Sequence, residues 1–166
     1  RLQQLIEELI NYQQAGFAAS SIDPQPVALD VVCTQVLRTH RLVAAARAIR
    51  FERKLTPLLV EGDADKLRVV VVNLITNAIK FSPNNSQVTL SAARVEKAVK
   101  ISVTDEGPGI SEDDQAKIFQ KFEQASNSNA NSGVSDSEQH SGSTTAPIAG
   151  AGLGLHICKM LIEAHG

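Results

Sequence analysis

The sequence predicts an α+β domain, and three observations carry that reading. Two long stretches, 28–47 and 64–81, place apolar residues at helical spacing. Two shorter stretches alternate apolar and polar side chains around a turn near Lys97, as an antiparallel hairpin does. The chain has 166 residues with 43% hydrophobic content, enough for one ordinary core.

The elements follow in order. Residues 1–19 form an apolar seam (Leu2, Leu5, Ile6, Leu9, Ile10), then Tyr12 and Phe17, as in a bundle or coiled-coil helix. Residues 20–27 contain Pro24 and Pro26 and read as a linker. The helix from Ala28 to about Arg47 is striped by Val31, Val32, Val36, Leu37 and Val43. Ile49–Leu55 and Leu58–Glu61 read as short strands. Asp63 is placed to cap a helix over Ala64–Phe81, with Lys66 at its third position. Leu67, Val70, Val71, Leu74 and Ala78 form its core stripe, and Pro83 with Asn84-Asn85 stops it.

In the hairpin, Val88, Leu90 and Ala92 share one face of the first strand, and Val99, Ile101 and Val103 one face of the second. One step further the same face reaches Asp105, and a carboxylate in a core-facing slot needs a partner. Glu106-Gly107-Pro108-Gly109-Ile110 then forms a tight turn. Ser111 is placed to cap a helix to about Ala125, with Phe119 and Phe122 on it. Residues 126–149 are rich in Ser, Asn, Gly, Thr and Ala and read as a flexible loop. Gly150-Ala151-Gly152-Leu153-Gly154-Leu155 opens a final helix striped by Leu155, Cys158, Leu161, Ile162 and His165.

A net charge of −2 gives no reason to expect nucleic acid. No apolar run approaches the 18 residues of a membrane span, and no signal peptide is visible. Cys33 and Cys158 lack metal-ligand spacing and read as buried or half-buried thiols of a reducing, cytoplasmic compartment. A chain that opens inside a helical pattern, without Met, is expected to be a piece of a longer protein.

Three features carry chemistry. Asn73, Asn77 and Lys80 share one helical face, where amide oxygens suit a hard cation and an ammonium suits phosphate. Asp105 precedes a Gly-x-Gly turn. The 150–155 segment brings glycines and backbone N–H groups to a helix start, a phosphate-binding arrangement or equally a hinge. It is neither a dinucleotide fingerprint nor a Walker A loop.

In order and spacing these motifs resemble the ATP-binding domain of sensor histidine kinases, in the superfamily of gyrase B, Hsp90 and MutL. Asn73-Leu-Ile-Thr-Asn77-Ala-Ile-Lys80-Phe81 resembles the N box, Asp105-Glu-Gly107-Pro-Gly109-Ile110 the G1 box, Ile118-Phe119-Gln-Lys121-Phe122 the F box, and Gly150-Ala-Gly152-Leu153-Gly154-Leu155 the G2 box. Gly62-Asp63-Ala-Asp65-Lys-Leu67 resembles the usual lead-in.

The resemblance implies a two-layer α/β sandwich of the Bergerat type, its mixed, mostly antiparallel sheet covered on one face by helices. It implies an end of a dimerisation and phosphoacceptor helix at 1–20, a linker at 21–27 and a catalytic domain at 28–166, with a lid at 123–149. The resemblance further implies that one or two C-terminal strands of the family are expected beyond Gly166. ATP and Mg²⁺ are the implied cofactors. Asp105 would accept from the adenine amino group, with Gly107, Gly109 and Ile110 beside the base. Asn77 would coordinate Mg²⁺; Asn73 and Lys80 would face the phosphates as catalytic groups. Phe119, Lys121, Phe122, Gly150, Gly152, Leu153, Gly154 and Leu155 would complete the nucleotide site.

Where related hydrolases place a glutamate base, this chain has Asn73, and an amide takes no proton near neutral pH. The expectation is phosphoryl transfer to a histidine on the chain's own dimerisation domain, upstream of Arg1, in a dimeric parent that signals to a response regulator. The fragment alone is expected to be monomeric. His40 lacks the acid and proline that follow the family's acceptor and reads as an ordinary helix residue. No Lys or Arg lies between Glu123 and Ala149, where family lids offer a cation. That departure supports an alternative, a nucleotide-binding regulatory module with weak or no kinase activity.

Overall fold

A computed structural model describes residues 21–120 and 152–166. The expected bundle helix at 1–19 and the 123–149 segment lie outside the described residues. Strand β1 (Gln25–Ala28) leads into helix α1 (Leu29–Ala45), followed by β2 (Arg50–Leu55) and β3 (Leu59–Gly62). Helix α2 (Ala64–Phe81), the hairpin β4 (Gln87–Val95) and β5 (Ala98–Thr104), and helices α3 (Glu112–Gln115) and α4 (Gly154–His165) complete the order.

The expected α+β class and mixed sheet are present, with the strands divided between two sheets. β2, β4 and β5 form the larger, in that order, β2 parallel to β4 and β4 antiparallel to β5. β1 pairs antiparallel with β3 in a separate ribbon. β1 occupies part of the stretch that reads as linker. Its prolines conceal it, but a two-stranded ribbon is all edge, where Pro26 costs little.

Helix α2 begins and ends as its sequence dictates. Asp63 is extended and its Oδ1 accepts from the Asp65 and Lys66 amides at 3.1 and 3.2 Å. Ser82 is extended, as a residue before proline prefers. The hairpin turns at Glu96-Lys97, with Glu96 at φ 53°. In β4, Val88, Leu90 and Ala92 are buried while Thr89 and Ser91 face outward, so a single sheet face is packed. Against it lie Leu67, Val71, Ile75, Ala78 and Ile79 of α2, and Leu29, Val32, Cys33, Val36 and Leu37 of α1. A second, smaller cluster joins Val70 and Leu74 of α2 to Leu153, Ile157, Cys158 and Leu161.

Helix α3 is shorter than its stripe suggests. Ser111 caps it as expected, its Oγ accepting from Asp114 at 3.2 Å. After Gln115 the chain tightens into turns, with Lys117 and Gln120 amides bonded three residues back. Among the described residues no helix is long and apolar enough to cross a membrane.

Candidate nucleotide site

Asn73, Asn77 and Lys80 lie half-buried on one side of α2, next to the Val70–Leu74 face. The Asn73 amide nitrogen donates to the Val69 carbonyl at 3.1 Å, one turn back, which orients the side chain. A Cβ built on Gly154 would lie 2.9 Å from Asn73 Oδ1. Any larger residue there would have to push the Asn73 side chain aside. The first N–H groups of a helix have no partner within it, so α4 opens its donors beside Asn73. Lys80 holds its ammonium 4.7 Å from the centre of the half-exposed Phe81 ring.

The Asp105 turn meets the other end of α2. Asp105 departs from the sequence expectation: it is exposed, because β5 leaves the sheet after Thr104. Its Oδ1 accepts from the Gly107 amide at 2.8 Å, an Asx-type turn that fixes the carboxylate locally. Among the described residues no hydrogen bond reaches its other oxygen. A Cβ on Gly107 would lie 2.6 Å from Asp105 Oδ1 and 3.0 Å from the Phe81 carbonyl oxygen. Gly107 thus lets the turn rest on the last peptide of α2. Gly109 serves differently: at φ 76° with open space around it, it supplies backbone freedom. Ile110 follows, exposed.

The remaining expected residues divide. Phe119 is exposed, and its carbonyl is 2.9 Å from His156 Nδ1, which joins the chain after α3 to α4. Gly152 adopts φ 71° just before α4. Leu153 buries its side chain in the smaller cluster, so only its backbone can meet a ligand. Leu155 is half-buried. Lys121, Phe122 and Gly150 lie outside the described residues. His40 is an ordinary α1 residue, its Nδ1 2.9 Å from the Val36 carbonyl. A hollow of about 640 Å³ between α1 and α2, lined by Gln35, Arg38, His40 and Arg68 among others, contains none of these site residues. It is an open trough.

Both ends of α2 are tied to distant chain. At its start, the Asp63 amide donates to His165 Nε2 at 3.0 Å, while His165 Nδ1 is 2.6 Å from the Leu161 carbonyl. An acceptor at Nε2 places the ring proton on Nδ1. Burial alone would raise the Asp63 pKa, but the Lys66 ammonium at 2.9 Å and the Lys66 and Asp23 amides hold the carboxyl below its usual range. Burial pushes the thiols up, Cys33 to about 11 and Cys158 to about 12, so neither is a nucleophile near neutrality. Sequence motifs do not mark Arg47 or His165; the partners through which they hold α2 are 32 or more residues away.

The family described as histidine kinase-, DNA gyrase B-, and HSP90-like ATPase matches residues 62–166. The sensor protein KdpD of Clostridium acetobutylicum is 30% identical over 162 residues, 98% of this chain and 16% of KdpD. The chain spans 16% to 39% of the length of the curated relatives compared. The mycobacterial sensor histidine kinase MprB superimposes with a TM-score of 0.67 at 27% identity, over 87% of this chain and 81% of that one. Full-length ShkA, solved in complex with AMPPNP, gives a TM-score of 0.75 at 28% identity, over 98% of this chain and 31% of that one.

Proposed function

Because the chain belongs to the histidine kinase-, DNA gyrase B- and HSP90-like ATPase family, we propose that it is the ATP-binding catalytic domain of a two-component sensor kinase. In this reading it passes the γ-phosphoryl group of ATP to a histidine on its own dimerisation domain, in a dimeric cytoplasmic assembly that feeds a response regulator. One observation supports it most. Gly154 is seated on Asn73, while Gly107 of the Asp105 turn rests on the end of the same helix. A nucleotide along α2 would then meet an acid at its base and helix-start donors at its phosphates.

The roles follow from the groups available. Asp105, with Oδ1 committed to Gly107, offers its second oxygen to the adenine amino group. Asn73 and Lys80 face the phosphates, joined by the backbone donors of 152–155. Among the described residues no three His, Cys, Asp or Glu side chains group to hold a metal. Asn77, half-buried on the same face as Asn73 and Lys80, would offer an amide oxygen to a Mg²⁺ that accompanies the phosphates. Mg²⁺ supplies charge neutralisation on the phosphates. Asn73 cannot deprotonate water, which favours transfer over hydrolysis. The lack of Lys or Arg at 124–148 favours a second reading, a nucleotide-binding regulatory module with little transfer.

Calorimetry with ADP and ATP, with and without Mg²⁺, tests the site. In Asp105→Asn the amide oxygen can keep the bond to Gly107, and an NH2 donor then replaces the oxygen offered to the adenine amino group, so charge and acceptor are lost together. It is expected to weaken binding about tenfold or more, a charge-assisted bond being replaced by two facing donors. No uptake by folded wild type, or equal affinity in Asp105→Asn, would overturn the reading. Adding the upstream acceptor domain separates kinase from module: tight nucleotide binding without phosphohistidine favours the module.

A further inference from the structure

The C-terminal end of α2 is held by a residue outside every motif. Arg47 follows α1, in a turn where Ala48 adopts φ 54°. Its guanidinium donates to the Ile79 carbonyl, to the Lys80 carbonyl at 3.1 Å and to the Ser82 carbonyl at 2.6 Å. Its Nε donates to Asn84 Oδ1 at 3.1 Å. Its own carbonyl accepts from the Asn85 amide at 3.1 Å, and the Arg50 amide donates to the Ser86 carbonyl at 2.9 Å. The turns ending α1 and α2 are therefore bonded to each other in both directions.

Two physical effects coincide here. The last carbonyls of a helix lack partners and carry the negative end of its dipole. A planar, permanently charged fork satisfies several at once, which an ammonium cannot do. The bonded residues flank Phe81, whose carbonyl bears the Asp105–Gly107 turn. Lys80, whose carbonyl Arg47 binds, also carries a side chain of the proposed site.

We propose that Arg47 is a positioning residue of the nucleotide site: by fixing the end of α2, it sets the height and tilt of the Asp105 turn and the Lys80 side chain. It touches no ligand and acts through Phe81 and Lys80. The inference rests on the nucleotide-binding reading for its functional consequence, and on the hydrogen bonds of Arg47 for its cause.

The test uses Arg47→Gln and Arg47→Lys beside wild type, each first shown to be folded by circular dichroism. Adenine nucleotide affinity is measured by calorimetry on the folded protein. Amide shifts of Ser82 and Gly107 are measured by NMR without nucleotide. Arg47→Gln is expected to move both amides and weaken binding about tenfold, with Arg47→Lys partly restoring affinity through its single point charge. A purely structural role would lower the melting temperature and leave the affinity of the folded fraction unchanged; that result overturns the proposal. If wild type takes up no nucleotide, the binding reading fails, and the Gly107 shift alone decides the positioning. An unmoved Gly107 in Arg47→Gln sinks it. Should Arg47→Gln not fold, wild-type affinity and an unmoved Gly107 amide in Arg47→Lys are the overturning result.

Discussion

Helix α2 is packed on two faces, and they differ in kind. One meets α1 and the sheet in a broad core that includes Leu67, Val71, Ile75 and Ile79. The other meets α4 through Val70 and Leu74, against a cluster of four buried α4-side residues. The first face is large, dry and built from several elements. The second is small and belongs to the element that brings Gly154 to Asn73. In the nucleotide-binding reading, stability and ligand geometry are thereby divided across the width of one helix, with Asn73, Asn77 and Lys80 beside the smaller face.

The largest expected effect lies on the broad face. Ile75 is fully buried at 0% exposure, and Ile75→Ala leaves a cavity costing about 2–5 kcal/mol. Denaturant unfolding should show one transition at a lower midpoint. If the two faces have separate duties, the protein that remains folded binds adenine nucleotide as wild type does. A loss of affinity beyond the loss of folded protein would break the comparison.

Leu161→Ala probes the small face. Leu161 is 1% exposed, but fewer neighbours surround it, and α4 can relax toward the gap. A cost near the lower end, about 2 kcal/mol, is expected. Its signature is local: hydrogen exchange should quicken in α4 more than in β4, and nucleotide affinity should fall. Uniform acceleration through α4 and the sheet would mean that both clusters open as a single unit.

What the sequence displays and what it conceals follows the range of the forces involved. The bounds of α2 are legible because Asp63, Ser82 and Pro83 act within a turn of the helix ends. The hairpin is legible because alternation is local. β1 is hidden behind Pro24 and Pro26, since pairing with β3 across some 30 residues leaves no local periodicity. Asp105 reads as inward only if β5 continues one residue further, and strand ends are the least legible feature of a pattern. The motif residues Asn73, Gly107 and Gly154 are legible, and the approach of Gly154 to Asn73 and of Gly107 to Phe81 follows from the folded chain. Arg47 and His165 are not, because each caps a helix distant in sequence.

The smallest effect concerns the start of α2, where Asp63 joins both faces through β3 and His165. Asp63→Ala removes the cap and should cost about 1 kcal/mol. Asp63→Asn retains a capping oxygen but puts an NH2 where Oδ2 accepts from Lys66, losing the charge and that acceptor, so at neutral pH it should cost about 0.5 kcal/mol. Acid titration separates the two contributions. The folded carboxyl titrates below its unfolded value because the hydrogen bonds from Lys66 outweigh burial. The unfolded state therefore binds the proton first, and stability falls with pH. The charge contribution is whole above the unfolded pKa of about 4, and it disappears as pH drops through the folded value. Wild type and Asp63→Asn should consequently converge in stability below about pH 4, followed by urea unfolding at fixed temperature. A gap that persists at low pH would assign the effect to geometry, and one that widens would reverse the sign argued for Lys66.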